Sequence, residues 1–236
     1  MNRLFLVVSA LVVAMSSCVG GGEPQCSACV VEVEESISKV ETPAEAIEAL
    51  KEGNARFVAQ KVVNPHSNEA RRIATVDSQN PFAAVVACSD SRVPVELLFD
   101  QGIGDLFVIR TAGNSVAGDL VMGSVDYAID HLNVPLVVIL GHQNCGGVTS
   151  SITVNENDHH HHEHNGKIGQ LLEAIRADVR EFVGKHDKLD DAILCNASAQ
   201  VERLESVPYI AEKIESGKLQ IVYAYYNFET GEVIFY

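Results

Sequence analysis

Tryptophan is missing from this 236-residue chain, and aromatic residues of all kinds make up only 6% of it. A surface that stacks the bases of a single strand is built from such rings, so that class of function is excluded. Positive charge is scarce too: 17 Lys and Arg face 32 Asp and Glu, a formal net charge of −15. Non-specific nucleic-acid binding needs a basic face to displace counterions, and no nucleic-acid partner is expected. Six cysteines are too few for a disulfide scaffold at this length, so each has to be read by its spacing. No internal repeat is visible. The N-terminal apolar run, Leu4 to Met15 broken by Ser9, falls short of the roughly 20 residues that cross a bilayer. What is present, at 47% hydrophobic and 21% charged residues, has the composition of an ordinary globular protein.

The short apolar run follows Met1-Asn2-Arg3 and has the build of a secretory signal core. Ser16-Ser17-Cys18 and then Val19-Gly20-Gly21-Gly22 come next. Small residues before a cysteine, followed by a glycine-rich tether, resemble a bacterial lipoprotein processing site with Cys18 as the lipidated first residue. Met15 stands where such sites usually carry Leu; cleaved soluble export and a buried N-terminal helix are the other readings. The expected layout is a signal peptide over 1–17, a tether over 18–41 and one folded domain over 42–236. An exported protein is implied, held to a membrane only by its N-terminal lipid, in the periplasm or at the outer membrane. Cys26 and Cys29 form a C-x-x-C without the second pair that a zinc ribbon needs. In an exported chain a local disulfide is the plain reading, and these cysteines are assigned no chemistry.

The body alternates two patterns. Thr42-Pro43-Ala44-Glu45 combines an N-cap, a proline at the first helical position and a capping-box glutamate, so a helix starts there. Phe82–Ala87, Asp105–Arg110, Val134–Leu140 and Leu219–Tyr225 are apolar runs with the look of strands buried on both faces. Helical periodicity fills the gaps at Leu120–Leu132, Ile168–Val183 and Ala199–Val207. Tyr226 to Tyr236 reads as a hairpin about Thr230-Gly231 that adds an antiparallel edge strand. The expected fold is α/β: a mostly parallel open sheet of about four strands plus that edge strand, flanked by helices.

Ligands of such sheets collect beyond the carboxyl ends of the strands. The first strand runs into Cys88-Ser89-Asp90-Ser91-Arg92 and the third into Gly141-His142-Gln143-Asn144-Cys145-Gly146-Gly147. Two thiols, an imidazole and a carboxylate are the donors zinc prefers, and four of them complete a tetrahedron. Each residue alone would pass for a buried cysteine, an incidental histidine or a helix cap; together they point to a metal. A second cluster, His159 to His164, lies between predicted helices and reads as a solvated loop, with auxiliary metal capture or proton buffering as alternatives.

C-S-D-S-R-V-P after one strand and G-H-x-x-C-G-G some fifty residues later resemble the β-class carbonic anhydrases. The resemblance runs over roughly residues 44–236. It includes Gly104 to Asn114 and Ser124-Val125-Asp126-Tyr127-Ala128. It implies reversible hydration of CO2 to bicarbonate and a proton, by attack of zinc-bound hydroxide on CO2 in an apolar pocket. One Zn2+ per subunit and a homodimer or tetramer come with it. By position, Cys88, His142 and Cys145 resemble the constant zinc ligands. Asp90 resembles a carboxylate that either pairs with Arg92 or closes the site by moving onto zinc. Gln79 falls where an amide reaches the substrate of a neighbouring subunit. Some members also hold a second bicarbonate with a Trp and an Arg; here those positions are Val85 and Arg110, so an open site with little bicarbonate inhibition is expected. The chemistry suits the residues, since zinc lowers the pKa of bound water from about 15.7 to about 7 in favourable sites. A hydrolase of CS2 or COS, or a zinc-binding lipoprotein without catalysis, remain alternatives.

Overall fold

Buried apolar runs without alternation form strands only where both faces are covered, and three of the four runs meet that condition. In a computed structural model that describes residues 40–154 and 166–236, they are β1 (Ala83–Cys88), β3 (Leu136–His142) and β4 (Gln220–Tyr226). The fourth run, β2 (Leu106–Thr111), is only half-buried. It lies at the sheet edge and pairs with β1 alone, which corrects the expectation of burial on both faces. β5 (Val233–Phe235) runs antiparallel to β4 after a tight turn at Asn227–Gly231. The order is β2-β1-β3-β4-β5, with the first four strands parallel. The signal peptide, Cys18, Cys26, Cys29 and the His159–His164 loop lie outside the described residues.

Alternate residues of each central strand feed different cores. Val85 and Ala87, Val138 and Leu140, and Val222 and Ala224 face α1 (Pro43–Val58) and, beyond α2 (Glu69–Ala74), α3 (Val95–Leu98). Ala84, Val86, Val137, Ile139 and Ile221 face the opposite layer, which carries α4 (Asp119–Asp126), α7 (Leu189–Glu205) and α8 (Pro208–Glu215). α5 (Gly146–Ile152) and α6 (Lys167–Asp178) close the carboxyl end around Cys88 and Cys145. The chain thus makes a helix–sheet–helix sandwich, as right-handed crossovers between parallel strands require. Among the described residues no helix is long and apolar enough to cross a membrane.

Helix α1 begins as its sequence dictates: the Glu45 N–H donates to Thr42 Oγ1 and the Thr42 N–H donates to the Glu45 carboxylate. Helix α7 starts ten residues before the Ala199 expected for it, and Cys195 sits mid-helix. Its buried stripe includes Asn196 and Gln200, polar residues that interrupt the apolar period and hide the helix from a pattern reading. The helix read over Leu120–Leu132 is α4 followed by a π turn at Tyr127–His131, closed by the Leu132 N–H donating to the Tyr127 carbonyl.

Candidate metal centre

Strand order sets the place of the site. The chain leaves β1 toward β2 on one side and returns to β3 on the other, so a crevice opens at the carboxyl ends of β1 and β3. Cys88 is the last residue of β1 and His142 the last of β3; Cys145 is the N-cap of α5. Their ligand atoms all lie within 4.8 Å of one another, and all three residues are buried.

His142 is committed to one tautomer. Its Nδ1 lies 2.9 Å from the Gln143 carbonyl oxygen, which can only accept, so Nδ1 carries the proton. Nε2 is left with a lone pair, buried and without any hydrogen-bond partner. An orphaned acceptor beside two thiols is costly in a sealed apolar site unless a cation takes its lone pair. The sulfurs are prepared for negative charge as well. The Cys88 Sγ accepts from the Gly113 N–H at 3.3 Å and the Asp90 N–H at 3.4 Å. The Cys145 thiol donates to Cys88, which holds Cys88 well below the ordinary thiol range against the opposing effect of burial, helped by those two backbone N–H groups. The same bond, with burial, pushes the Cys145 thiol up. In effect the pair shares one proton, which a dication would displace. Two thiolates and a neutral imidazole make a donor set that fits zinc.

Asp90 stands at the edge of this cluster, its Oδ2 4.0 Å from His142 Nε2. Arg92 grips it in a fork: Nε to Oδ1 at 2.9 Å and an Nη to Oδ2 at 2.7 Å, with the Arg92 backbone N–H also donating to Oδ1 at 2.9 Å. The Arg92 hydrogen bond, foremost, holds the carboxyl well below the usual carboxylate range. Arg110 donates to the carbonyl oxygens of Cys88 and Asp90 and so fastens the loop that carries both side chains. Val85 is fully buried in the core.

Gln79 is exposed and lies ahead of β1, whereas Cys88 ends that strand. The strand alone separates them by roughly 17 Å at its usual rise per residue. A single subunit therefore does not bring Gln79 to the cluster. One neighbour escaped the sequence reading. Phe228, in the β4–β5 turn, has its ring 4.3 Å under the Arg92 guanidinium and 5.2 Å from the His142 ring. Gln143 pins it, its Oε1 accepting from the Phe228 N–H at 3.0 Å. Nothing in a lone Phe within a hairpin signals that contact.

Residues 83–233 match the sequence model of the family described as carbonic anhydrase. Carbonic anhydrase 2 of Mycobacterium tuberculosis is 36% identical over 193 residues, spanning 81% of this chain and 92% of that protein. Among solved structures, the β-carbonic anhydrase CcaA superposes with a TM-score of 0.61 at 25% identity, covering 80% of this chain and 94% of that one. A Coccomyxa β-carbonic anhydrase in complex with acetazolamide gives 0.61 at 26% identity, covering 78% and 82%. The chain belongs to the carbonic anhydrase family, in its β class. It is a zinc-dependent enzyme that hydrates carbon dioxide reversibly.

Proposed function

We propose that Cys88, His142 and Cys145 hold the zinc ion at which this chain hydrates CO2, and that Asp90 and Arg92 orient the reaction there. The observation that carries this is the bare Nε2 of buried His142, facing two thiols at the ends of two adjacent parallel strands. Zinc bound there supplies the Lewis acidity that makes water nucleophilic near neutral pH. Asp90 stays ionised in the grip of Arg92, so its Oδ2 accepts a hydrogen bond from the attacking water and turns a lone pair toward CO2. Arg110 and Phe228 keep the carboxylate and the guanidinium from drifting.

The proposal extends to assembly and location. A homodimer or tetramer would let Gln79 reach the substrate of a neighbouring subunit; its exposure, far from its own Cys88, supports that reading. The half-buried edge strand β2 and exposed Leu120 and Tyr127 leave apolar surface for a partner to cover. Export and lipidation at Cys18 rest on the N-terminal sequence alone.

Asp90→Ala and Arg92→Ala test the assigned roles. Both variants should retain zinc while hydration falls about a hundredfold, the order of loss for a misplaced catalytic group. Unchanged hydration at neutral pH in either variant removes the pair from the reaction.

A further inference from the structure

Hydrogen bonds lead from the Cys88 sulfur through the protein to its surface, by way of residues far from Cys88 in sequence. Gly113, whose N–H reaches the sulfur at 3.3 Å, has φ 66° and ψ 25°, the left-handed region. A Cβ at this position would lie 2.5 Å from Ile175 Cδ1, so the residue is held to glycine by space as well as by conformation. Glycine has no side chain to fix its own orientation. On its far side the Asn196 Nδ2 donates to the Gly113 carbonyl at 2.9 Å, in a fully buried environment. Gln200, one turn further along α7, donates its Nε2 to the Asn196 backbone carbonyl at 3.0 Å, to the Asn196 Oδ1 at 3.4 Å and to Asp178 Oδ2 at 2.9 Å. Its Oε1 accepts from the Val116 N–H at 3.1 Å, closing the other end of the Gly113 loop. Asp178 is paired with half-exposed Arg203 at 2.9 Å.

Buried amides are costly to place in a helix stripe that packs on a sheet, and Asn196 and Gln200 are both fully buried there. What the fold gains for that cost is their hydrogen bonds to the backbone of Gly113 and Val116. We propose that Asn196 and Gln200 are positioning residues for the metal centre: they lock the Gly113 backbone so that its N–H points at Cys88. The inference rests on Cys88 being a zinc ligand. An N–H···S bond draws charge from a thiolate and weakens its donation to the metal. It thereby counters the excess charge that two sulfur ligands bring to the ion. Losing that bond raises the charge on the sulfur, which moves its charge-transfer band, and lets the sulfur turn off its line to the metal, which outweighs the stronger donation and speeds release.

The test is made on purified, folded protein loaded with Co2+ in place of zinc, and on zinc release to a chromophoric chelator. Neither readout depends on CO2 turnover. Asn196→Leu keeps the volume and removes the donor. Asn54→Leu is the control, since Asn54 also bridges buried loops, bonding the Leu98, Gly231 and Val233 backbone on the opposite face of the sheet. Asn196→Leu should shift the sulfur-to-cobalt charge-transfer band and release zinc about tenfold faster, the low end of losses seen for outer-shell partners. Asn54→Leu should leave both unchanged. If Asn196→Leu does not fold, Gln200→Met, which frees Asn196 without touching Gly113, is expected to shift the same band by less. A wild-type band and release rate in the folded Asn196 or Gln200 variant overturns the inference, as does an equal shift in the Asn54 variant. A wild-type protein that takes up no metal overturns the zinc-ligand assignment itself, and this inference with it.

Discussion

At the scale of single residues, energies separate the groups that act from those that steady them. The Arg92 side chain is 53% exposed, so its contact with the Phe228 face belongs to the weak end of cation–π pairing, about 0.5–1 kcal/mol. Phe228→Leu should therefore lower kcat/KM only about two- to fivefold with zinc content unchanged, by stopped-flow hydration. A loss as large as that of Arg92→Ala would mean that Phe228 touches substrate. This scale also shows which side chains a sequence makes legible as a cluster. Cys88, Asp90, Arg92, His142 and Cys145 stand out because reactive side chains cluster where apolar runs stop, and strand geometry places those stops together. Phe228, Gly113 and Asn196 carry no such mark. Each meets the site through a turn or a helix face whose position depends on the packed fold.

Secondary-structure elements were legible in proportion to their burial. The central strands announce themselves as unbroken apolar runs, and Thr42-Pro43-Ala44-Glu45 marks the start of α1 through side-chain chemistry alone. β2 reads like a central strand although it lies at the edge, because strand order is decided by crossovers and leaves no local trace. The first half of α7 is hard to read because buried Asn196 interrupts its apolar stripe. Contacts between elements make a separate prediction. Asp100 follows α3 and is 3% exposed; it accepts from Arg56 of α1 and from the N–H groups of Val63 and Asn64. Burial pushes its carboxyl up, but those donors prevail and hold it below the ordinary 3.8. A depressed folded value contributes stability above the unfolded value and loses it as pH falls through the folded one. Asp100→Asn should cost about 2 kcal/mol at pH 7, the order of hydrogen bonds to a charged group. The gap from wild type should narrow in urea titrations run below about pH 4. A gap independent of pH would show that ionisation of Asp100 does not matter to the fold.

For the whole molecule, the sheet, its two helical layers and the crevice between β1 and β3 account for where the chemistry sits, while the proposed export and lipid anchor rest on the N-terminal sequence. The two are separable. Cys18→Ser should release the protein from the membrane fraction with hydration unaltered, as fractionation and assay of each fraction would show. Processing beyond Cys18 would contradict the lipid anchor and leave the enzyme untouched. The central claim concerns the metal centre and is tested by zinc stoichiometry measured beside CO2 hydration, on wild type and on Cys145→Ala. Wild type should hold one zinc per subunit and turn over CO2. Removing one of the three proposed ligands should abolish most of both, because the remaining shell is incomplete. A Cys145→Ala protein with full zinc and normal turnover would contradict the account.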